Sequence, residues 1–422
     1  MLDLFVNRSL YPAAPLQQRV ALVTGSYDRT VDGVALTLNR LVGHLVQSGH
    51  EVLVLCPASS SSRPALVRHA GAPVQRVPSV PFPVWWEYRL TWGLGGAATR
   101  ALAAFAPTVV HVAVQDAMGH AAQRWAARRR VPVVCSYHTR WSAYLPFYNS
   151  WARGWAPVTK MLWWGLRRFH SNCAATLPPS RSVADELVSH GVPRVHVWPR
   201  GVDRALFRPG ARSDAWRASV GAPGADDVVV LLVARLRWEK GLAAFADALR
   251  RLDAAGVPHT AVVVGSGPAR SRLHAALPNA TFTGTLTGEA LAAAYASADV
   301  FLFPSTTEGW GGTCLEAQAS GLPVVATASS GIVEVVDDGV GGLLVAPGDT
   351  AALAAAVGRL ARDGEYRRAM GARAAVHAAR FDWSASGELM LAQYAAHATP
   401  VPPHDGDDTR PPPPTRNRTS AG

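Results

Sequence analysis

Arg235 and Lys240 lie five residues apart in a segment whose residue types suit the binding of phosphate groups. A hydrophobic run that predicts a strand ends near Arg235, and a helix is predicted to begin near Gly241. Two cations beside the free N–H groups of a helix N-terminus can hold a diphosphate. The alternative is an exposed turn with surface charge. The chain holds only two lysines, Lys160 and Lys240, and the placement of one of them here favours phosphate binding.

A Gly-rich segment further along the chain supplies two carboxylates eight residues apart, Glu308 and Glu316. Glu308 is predicted to lie on a loop after a strand, and Glu316 in the early turns of the next helix. A buried carboxylate needs hydrogen-bond donors, and sugar hydroxyls are suitable ones. The residues between them offer backbone amides that could approach an anion closely, since three are glycines. These residues are Gly309, Gly311, Gly312 and Thr313.

Each glutamate taken singly has a structural alternative. Glu308 could lie on a solvated loop, and Glu316 could stabilise the N-terminus of its own helix. The combination of both carboxylates with the Arg235/Lys240 turn in the same half of the chain is a more specific signal than either glutamate alone.

The composition is that of a globular protein with excess positive charge. A length of 422 residues predicts two or three domains, and 49% hydrophobic against 17% charged residues argues against disorder. The 41 Lys and Arg outnumber the 30 Asp and Glu, giving a net charge of +11. This balance favours an anionic partner: a nucleotide, a phosphate, nucleic acid or an acidic lipid surface. The four cysteines are scattered and are predicted to be buried free thiols.

The elements that must position these side chains follow a βαβ pattern. Short apolar runs alternate with Ala/Leu-rich helical stretches, and the pattern restarts after residue 225, so we expect two doubly wound α/β domains. The predicted strands are 20–25, 51–56, 107–112, 131–136, 227–236, 260–265, 281–284, 299–304 and 322–327. The predicted segments are an N-terminal extension (1–18), a first domain (19–202), a second domain (203–380), a terminal helix (381–399) returning to the first domain, and a disordered Pro-rich tail (400–422).

No continuous apolar segment of 18 or more residues is present, and the start lacks the long apolar run of a secretory signal. We therefore expect a cytoplasmic protein, or one that lies peripherally on the cytoplasmic face of a membrane.

The second half resembles the C-terminal signature of the retaining glycosyltransferases of family 4. The resemblance rests on ARLRWEKG (234–241), the Glu308/Glu316 pair, and the run from Pro304 to Thr327 that surrounds the pair. Other segments are similar to plant and cyanobacterial sulfoquinovosyl-diacylglycerol synthases and to bacterial lipid α-mannosyltransferases. These segments are SYHT (136–139) with Tyr144 and Tyr148, WPRGVD (198–203), FTGTL (282–286) and YASADV (295–300).

The resemblance implies a GT-B fold, in which two Rossmann-like domains face each other across a cleft. It implies transfer of a sugar from a nucleoside diphosphate to a hydroxyl with retention of configuration, with no metal or other cofactor. The donor would be GDP-mannose or a UDP-sugar such as UDP-sulfoquinovose or UDP-glucose. The acceptor would be a membrane glycerolipid or another lipid. No nucleic-acid partner is expected.

The resemblance also assigns roles to residues. It implies that Arg235 and Lys240 neutralise the donor diphosphate, that Glu308 contacts the donor sugar, and that Glu316 contacts the ribose hydroxyls. His138 would lie near the reacting sugar, although a lone histidine at a strand end is otherwise more often structural. Three further residues are expected near the donor: Gly33, Gly265 and Leu286.

Residues 141–170 are rich in aromatic and basic side chains and are the predicted acceptor and membrane segment. Arg153, Lys160 and Arg167 recur every seven residues, and Pro157 makes an unbroken helix unfavourable before it. Two interpretations stay open: a helix lying on an anionic membrane surface, or an ordinary helix with a solvated basic face. The candidate residues are Tyr144, Tyr148, Arg153, Lys160, Trp163, Trp164 and Arg167.

Three other functions are compatible with parts of the pattern. A nucleotide-sugar epimerase of the same fold would act on the donor alone, without an acceptor. A Rossmann-type oxidoreductase would need a GxGxxG motif, whereas Gly265-Ser-Gly267 is followed by Arg270 where the third glycine would fall. A non-catalytic membrane or carbohydrate-binding module would not need the full set of two cations and two carboxylates.

Overall fold

The structure is a computed structural model, and it describes residues 17–27, 32–58, 66–81, 88–140 and 156–398. The described chain forms two α/β domains, each built on its own sheet. The strands of the first domain are β1 (Arg19–Val23), β2 (Glu51–Pro57), β3 (Leu66–His69), β4 (Ala72–Val77), β5 (Ser79–Pro81), β6 (Arg89–Thr91), β7 (Val109–Val112), β8 (Val133–Ser136) and β9 (Ala175–Leu177). Its helices are α1 (Gly33–Gln47), α2 (Gly95–Phe105), α3 (Ala117–Arg129), α4 (Ala156–Ser171) and α5 (Arg181–Ser189).

The first sheet has the order β3-β4-β2-β1-β7-β8-β9. Its pairs are parallel except β3 with β4, and β5 and β6 form a separate antiparallel pair. The strand order reverses between β1 and β7, so the carboxyl ends of these two strands border a crevice of the kind in which α/β proteins bind ligands. The chain after β1 reaches α1 through Asp32, whose Oδ1 accepts hydrogen bonds from the N–H groups of Val34 and Ala35 and so caps that helix.

The second sheet is entirely parallel, in the order β12-β11-β10-β13-β14-β15. Its strands are β10 (Val229–Val233), β11 (Thr260–Val264), β12 (Thr281–Gly284), β13 (Val300–Phe303), β14 (Val324–Thr327) and β15 (Gly342–Val345). The helices that follow the first domain are α6 (Asp214–Ser219), α7 (Leu242–Ala254), α8 (Arg270–Ala276), α9 (Gly288–Ser297), α10 (Gly312–Ala319), α11 (Ile332–Val335), α12 (Thr350–Arg362), α13 (Gly364–Ala378) and α14 (Trp383–His397).

The apolar runs form strands because helices cover both faces of the sheets. All five residues of β10, with the sequence VVLLV, are buried, as a strand at the centre of a parallel sheet requires. The predicted α/β class with two doubly wound domains is therefore confirmed, and each predicted strand is present with ends that differ by a few residues. The sequence reasoning missed β3, β4, β9, β15 and the β5–β6 pair.

The terminal helix α14 packs on the first domain. Met390, Leu391 and Tyr394 belong to the same buried cluster as residues of α1 and β1. Near this crossing, the N–H of Val202 donates to the carbonyl oxygen of Phe381, so the two chain segments that pass between the domains lie side by side. The exact domain boundaries stay a prediction, and the predicted tail lies outside the described residues. Within the described ranges, no helix combines the length and apolar character needed to cross a bilayer.

Candidate active site

The loop after β10 brings the two predicted cations to one place. Arg235 follows the strand by two residues, and Lys240 ends a short 3-10 turn, Trp238–Lys240, that leads into α7. Lys240 is buried, and its Nζ lies 2.7 Å from Oε1 of Glu308. A buried lysine that reaches a carboxylate in another loop is positioned by tertiary structure, which argues against the alternative of an exposed turn with surface charge.

Glu308 is ionised and tightly held. Its Oε1 accepts hydrogen bonds from Nζ of Lys240 and from Oγ of Ser305, both at 2.7 Å. Burial alone would raise the pKa of Glu308, but the charge and hydrogen bond of Lys240, the Ser305 hydroxyl and the charge of Arg235 outweigh it and lower the pKa. The carboxylate is therefore suited to accept hydrogen bonds from sugar hydroxyls and poorly suited to act as a general acid.

Gly241 is what allows the cation turn to touch the glutamate loop. It adopts φ of +73°, and a Cβ at this position would overlap the carbonyl oxygen of Pro304. Only glycine meets both requirements at low cost. The contact between these two backbones brings Lys240 within hydrogen-bonding reach of Glu308.

Gly265, after β11, packs against the turn that carries Arg235. Its φ is +132°, and a Cβ there would overlap the carbonyl oxygen of Ala234, next to Arg235. The N–H of Leu236 donates to the carbonyl oxygen of Ser266, so the loop after β11 supports the Arg235 turn. The close approach of the two backbones therefore accounts for the glycine at position 265, and no dinucleotide-binding motif is needed to explain it. Leu286, after β12, packs partly buried against the core of the second domain.

Glu316 lies in α10 and is held by one aromatic hydroxyl. The OH of Tyr295 donates to its Oε2 at 3.0 Å. Burial raises the pKa of Glu316 to about 7, and the Tyr295 hydrogen bond only partly offsets this. Glu308 and Glu316 both raise the pKa of the Cys314 thiol, after burial itself, so the two predicted carboxylates lie near one another. The structure thus brings the four predicted residues together.

The N-terminus of α10 begins directly after the Glu308 loop. Gly311 is its N-cap, with φ of +84° and no side chain to accept from the first N–H groups of the helix. Gly312 and Thr313 form the first turn, where backbone donors lack partners within a helix. Gly309 lies close to the first domain, since a Cβ added at this position would come within 3.6 Å of the Pro179 side chain.

Gly33 lies across the cleft on the first domain, at the first position of α1. Among the described residues, no atom lies within 4 Å of a Cβ placed at Gly33. The packing of the described residues therefore does not by itself require a glycine at this position.

His138, just past β8, is held on both sides of its ring. Nη2 of Arg200 lies 2.7 Å from Nδ1, and Oγ of Ser136 lies 2.7 Å from Nε2. Burial lowers the pKa of His138 well below its ordinary value, and the charges of Arg200 and His111 lower it further. His138 is therefore a neutral imidazole. Arg200 belongs to the WPRGVD segment (198–203), for which the sequence alone indicated no role for this arginine.

Several side chains join the two domains across the cleft, and sequence reasoning missed them. Nη1 of Arg235 donates to the OH of Tyr88 at 2.7 Å. Glu334 of the second domain accepts from the N–H groups of Arg181 and Ser182 at 2.8 and 2.9 Å, and so caps α5 of the first domain. Such contacts depend on how the domains face each other, and no spacing within one domain could have predicted them.

The predicted acceptor helix is α4, which begins at Ala156 with Pro157 in its first turn, where proline is well tolerated. Lys160 and Arg167 are exposed on its outer face, and Trp164 is 58% exposed. The prediction was wrong for Trp163, which is buried and stacks on His190 with ring centroids 3.6 Å apart. The helix has one apolar face, and Trp163 lies on the side that packs on the domain. Tyr144, Tyr148 and Arg153 lie outside the described residues.

The four cysteines are buried free thiols, as expected. Cys135, Cys173 and His170 place their ligand-type atoms within 4.8 Å of one another. Burial, then a hydrogen bond with Cys173, raises the pKa of the Cys135 thiol well above its ordinary value. The structure therefore gives Cys135 a protonated thiol at this position in the core.

Comparisons with known proteins agree with this geometry. Residues 31–206 match the family described as Glycosyltransferase Family 4, and residues 227–363 match the family described as Glycosyl transferases group 1. A GDP-mannose-dependent alpha-mannosyltransferase of Mycolicibacterium smegmatis is 36% identical over 90% of this chain and 97% of its own. The sulfoquinovosyl transferase SQD2 of Arabidopsis thaliana is 31% identical over 90% and 74%.

A third relative, the alpha-monoglucosyldiacylglycerol synthase of Streptococcus pneumoniae, is 28% identical over 77% of this chain and 75% of its own. Among solved structures, a sucrose-phosphate synthase of Thermosynechococcus elongatus aligns with a TM-score of 0.74 at 21% identity, covering 90% of this chain and 99% of that one. A complex of Anabaena HepE with UDP and glucose aligns with a TM-score of 0.71 at 19% identity, covering 90% and 100%. These likenesses establish the fold.

The two α/β domains facing each other across a cleft form a GT-B fold. The family matches and the named relatives show that the protein is a glycosyltransferase and therefore an enzyme. The chain belongs to glycosyltransferase family 4. The predicted family, fold and enzyme class are confirmed.

Proposed function

We propose that the enzyme transfers a hexose from a nucleoside diphosphate to a lipid hydroxyl with retention of anomeric configuration. The donor is GDP-mannose or a UDP-sugar such as UDP-glucose or UDP-sulfoquinovose. The Lys240–Glu308 ion pair carries the proposal, because it sets a cation for the leaving diphosphate beside a carboxylate for the sugar. The GDP-mannose-dependent relative and the sulfoquinovosyl transferase support the donor. The monoglucosyldiacylglycerol synthase supports the glycerolipid acceptor.

The chemical barrier in this reaction is charge that develops on the leaving diphosphate. Arg235, Lys240 and the backbone amides of residues 309–313 would stabilise that charge without a metal or other cofactor. Glu308 would bind the sugar hydroxyls. Because its Oε1 is engaged by Lys240 and Ser305, Glu308 would not be a free nucleophile. Retention would then come from attack on the same face as departure, with the leaving phosphate taking the acceptor proton.

The function is tested by incubating the purified chain with membrane lipids and a panel of GDP- and UDP-sugars. Mass spectrometry identifies the glycosylated lipid, and NMR of the anomeric proton gives its configuration. A product with the donor's own configuration supports the proposal. Conversion of the sugar nucleotide without an acceptor would indicate an epimerase instead, and an inverted product would contradict retention.

The raised pKa of Glu316 predicts pH-dependent nucleotide binding. Ribose hydroxyls donate to the ionised carboxylate, which forms as pH rises through about 7. Affinity for GDP or UDP should therefore be fully developed at pH 8 and about tenfold lower at pH 6. Isothermal titration at both values measures this. Glu316→Gln removes the carboxyl group and is the control for titration of the ligand's own phosphate, so an unchanged pH dependence in that variant would contradict the assignment.

The exposed face of α4 supports contact with an anionic membrane surface. Met161 is 67% exposed, and the Arg168 guanidinium lies 5.8 Å from the ring centroid of Trp164. Basic residues beside exposed aromatic and aliphatic side chains suit the lipid–water interface. Lys160 and Arg167 extend the same outer face. We propose that this face binds the membrane from which the acceptor comes, with the protein on its cytoplasmic side.

The double variant Lys160→Gln/Arg167→Gln should bind phosphatidylglycerol vesicles at least about tenfold more weakly than the wild type, since each basic residue contributes roughly 1 kcal/mol at such a surface. Vesicle sedimentation at low salt measures the binding. Arg250→Gln/Arg251→Gln on α7 removes the same charge from an exposed part of the second domain and is the matched control. Equal binding by both double variants would show that α4 has an ordinary solvated basic face.

A further inference from the structure

A hydrogen-bonded series of five polar side chains, half-buried at Arg200 and His138, runs from the carboxyl edge of the first sheet to the terminal helix. Arg200 Nη2 contacts His138 Nδ1 at 2.7 Å, and His138 Nε2 contacts Ser136 Oγ at 2.7 Å. Ser136 Oγ contacts His111 Nε2 at 2.7 Å, and His111 Nδ1 contacts the Tyr394 OH at 2.6 Å. Ser136, His111 and Tyr394 are fully buried. The proposed reaction assigns no role to this series of hydrogen bonds.

The hydrogen-bonding capacity of arginine fixes the direction of every bond in the chain. A guanidinium only donates, so Nδ1 of His138 accepts and the neutral ring carries its proton on Nε2. That proton is donated to Ser136, whose hydroxyl then donates to His111. Burial lowers the pKa of His111 to about 3, so His111 is neutral as well and donates from Nδ1 to Tyr394. Both ring nitrogens of His138 are thus engaged in hydrogen bonds. His138 therefore orients Arg200 and has no ring nitrogen left to contact a substrate.

Arg200 itself has unused binding capacity. Its Nε is buried and has no hydrogen-bond partner within the described part of the chain. Asp32 favours its charged form electrostatically, but the Asp32 carboxylate already accepts from Ser26 Oγ and from the N–H groups of Val34 and Ala35. A half-buried guanidinium whose Nε is inaccessible and whose direct partner is a neutral imidazole is poorly compensated.

The location of Arg200 indicates what would compensate it. His138 follows β8, and Asp32 follows β1 and caps α1 beside Gly33. Both lie at the carboxyl edge of the first sheet, next to the point where its strand order reverses. Arg235 and Lys240 lie on the second domain. Arg200 is therefore a third cation on the opposite wall of the cleft.

We propose that Arg200 binds an anionic oxygen of the bound substrates, and that the chain from His138 to Tyr394 positions it. This inference rests on the proposed transfer of a sugar from a nucleoside diphosphate. The anion is either the donor diphosphate or an acidic group on the acceptor, both of which present oxygens to a guanidinium in the same way. His138 and Tyr394 are positioning residues in this arrangement.

The test compares Arg200→Gln with the wild type in the full chain. Isothermal titration with GDP, UDP and inorganic phosphate measures anion binding, and steady-state transfer gives kcat and the KM of each substrate. We expect kcat/KM to fall about ten- to a hundredfold. A weaker affinity for GDP or UDP assigns the anion to the donor. Unchanged nucleotide affinity with a raised acceptor KM assigns it to the acceptor.

Two further variants separate binding from folding. Arg200→Lys keeps the charge and should recover part of the lost anion affinity, and it serves as the test variant if Arg200→Gln does not fold. Tyr394→Phe removes the hydroxyl at the other end of the hydrogen-bonded series. It should raise, a few-fold, the KM or Kd that Arg200→Gln raises, which a purely structural residue would not do. Arg204→Gln, exposed on the same segment, is the control for loss of charge.

The inference is wrong if wild-type transfer is observed while Arg200→Gln keeps every affinity and KM, and kcat, within twofold. Failure of the proposed function gives a different result, since wild-type protein would then transfer no sugar. In that case the titrations decide: loss of GDP, UDP or phosphate affinity in Arg200→Gln keeps the anion site, and equal affinities in both proteins reject it.

Discussion

Replacing Lys240 by methionine is expected to lower kcat/KM for sugar transfer by about a hundred- to a thousandfold, the usual effect of removing one preorganised group that stabilises developing negative charge. Lys240 is buried and lies 2.7 Å from Glu308, so its charge acts in a site with little water to screen it. The loss should fall mainly on kcat, because charge on the diphosphate increases as the bond to the sugar breaks. Single-turnover kinetics with a saturating donor measures it, and Arg250→Met, an exposed charge on α7, should retain full activity.

A second variant distinguishes this catalytic role from a purely structural ion pair. Removing Lys240 leaves the buried Glu308 carboxylate without its cation, so the pKa of Glu308 should rise. The protein should also lose stability, because a buried charge without a partner is unfavourable. Lys240→Met/Glu308→Gln removes both charges and should recover much of the urea midpoint while remaining inactive. If the double variant regains activity together with stability, the pair is structural and the assignment of the donor site fails.

The local sequence pattern predicted those features that depend on residues close together in the sequence, namely the strands and the loops that carry the site residues. The apolar runs specified the strands, and the strand–loop–helix spacing placed Arg235, Lys240 and Glu308 at the carboxyl edge of one sheet. The 3.6-residue period also placed Lys160 and Arg167 on one face of α4. The same period could not show which neighbouring positions face the domain, so Trp163 was assigned to the surface although it is buried.

Contacts between distant segments could not be predicted in this way. Tyr88 meets Arg235 across the cleft, 147 residues away, and Tyr394 meets His111 across 283 residues. No periodicity encodes such pairs, because they depend on the packing of the two domains and of α14. Arg200 is the instructive case: its segment was recognised as a motif, yet its function depends on His138, Asp32 and a helix at the other end of the chain.

Gly241→Ala is expected to disable the site by a steric route, with no change of charge. A Cβ at this position would overlap the carbonyl oxygen of Pro304, and φ of +73° disfavours any side chain. The strain of the backbone and the displacement of the Glu308 loop should together cost about 2–5 kcal/mol. Since the same contact brings Lys240 to Glu308, activity should fall more than about tenfold in the molecules that remain folded.

The other end of α7 provides a matched control for this substitution. Gly256 also has a positive φ, +60°, but a Cβ there would meet no atom of the described residues within 4 Å. Gly256→Ala therefore carries the backbone cost, about 1–2 kcal/mol, without the overlap, and should keep full activity. Urea unfolding and transfer rates of both variants, measured side by side, separate the two contributions. Equal midpoints and equal rates would mean that the Gly241–Pro304 contact does not hold the cation turn against the glutamate loop, and the geometric basis of the donor site would have to be abandoned.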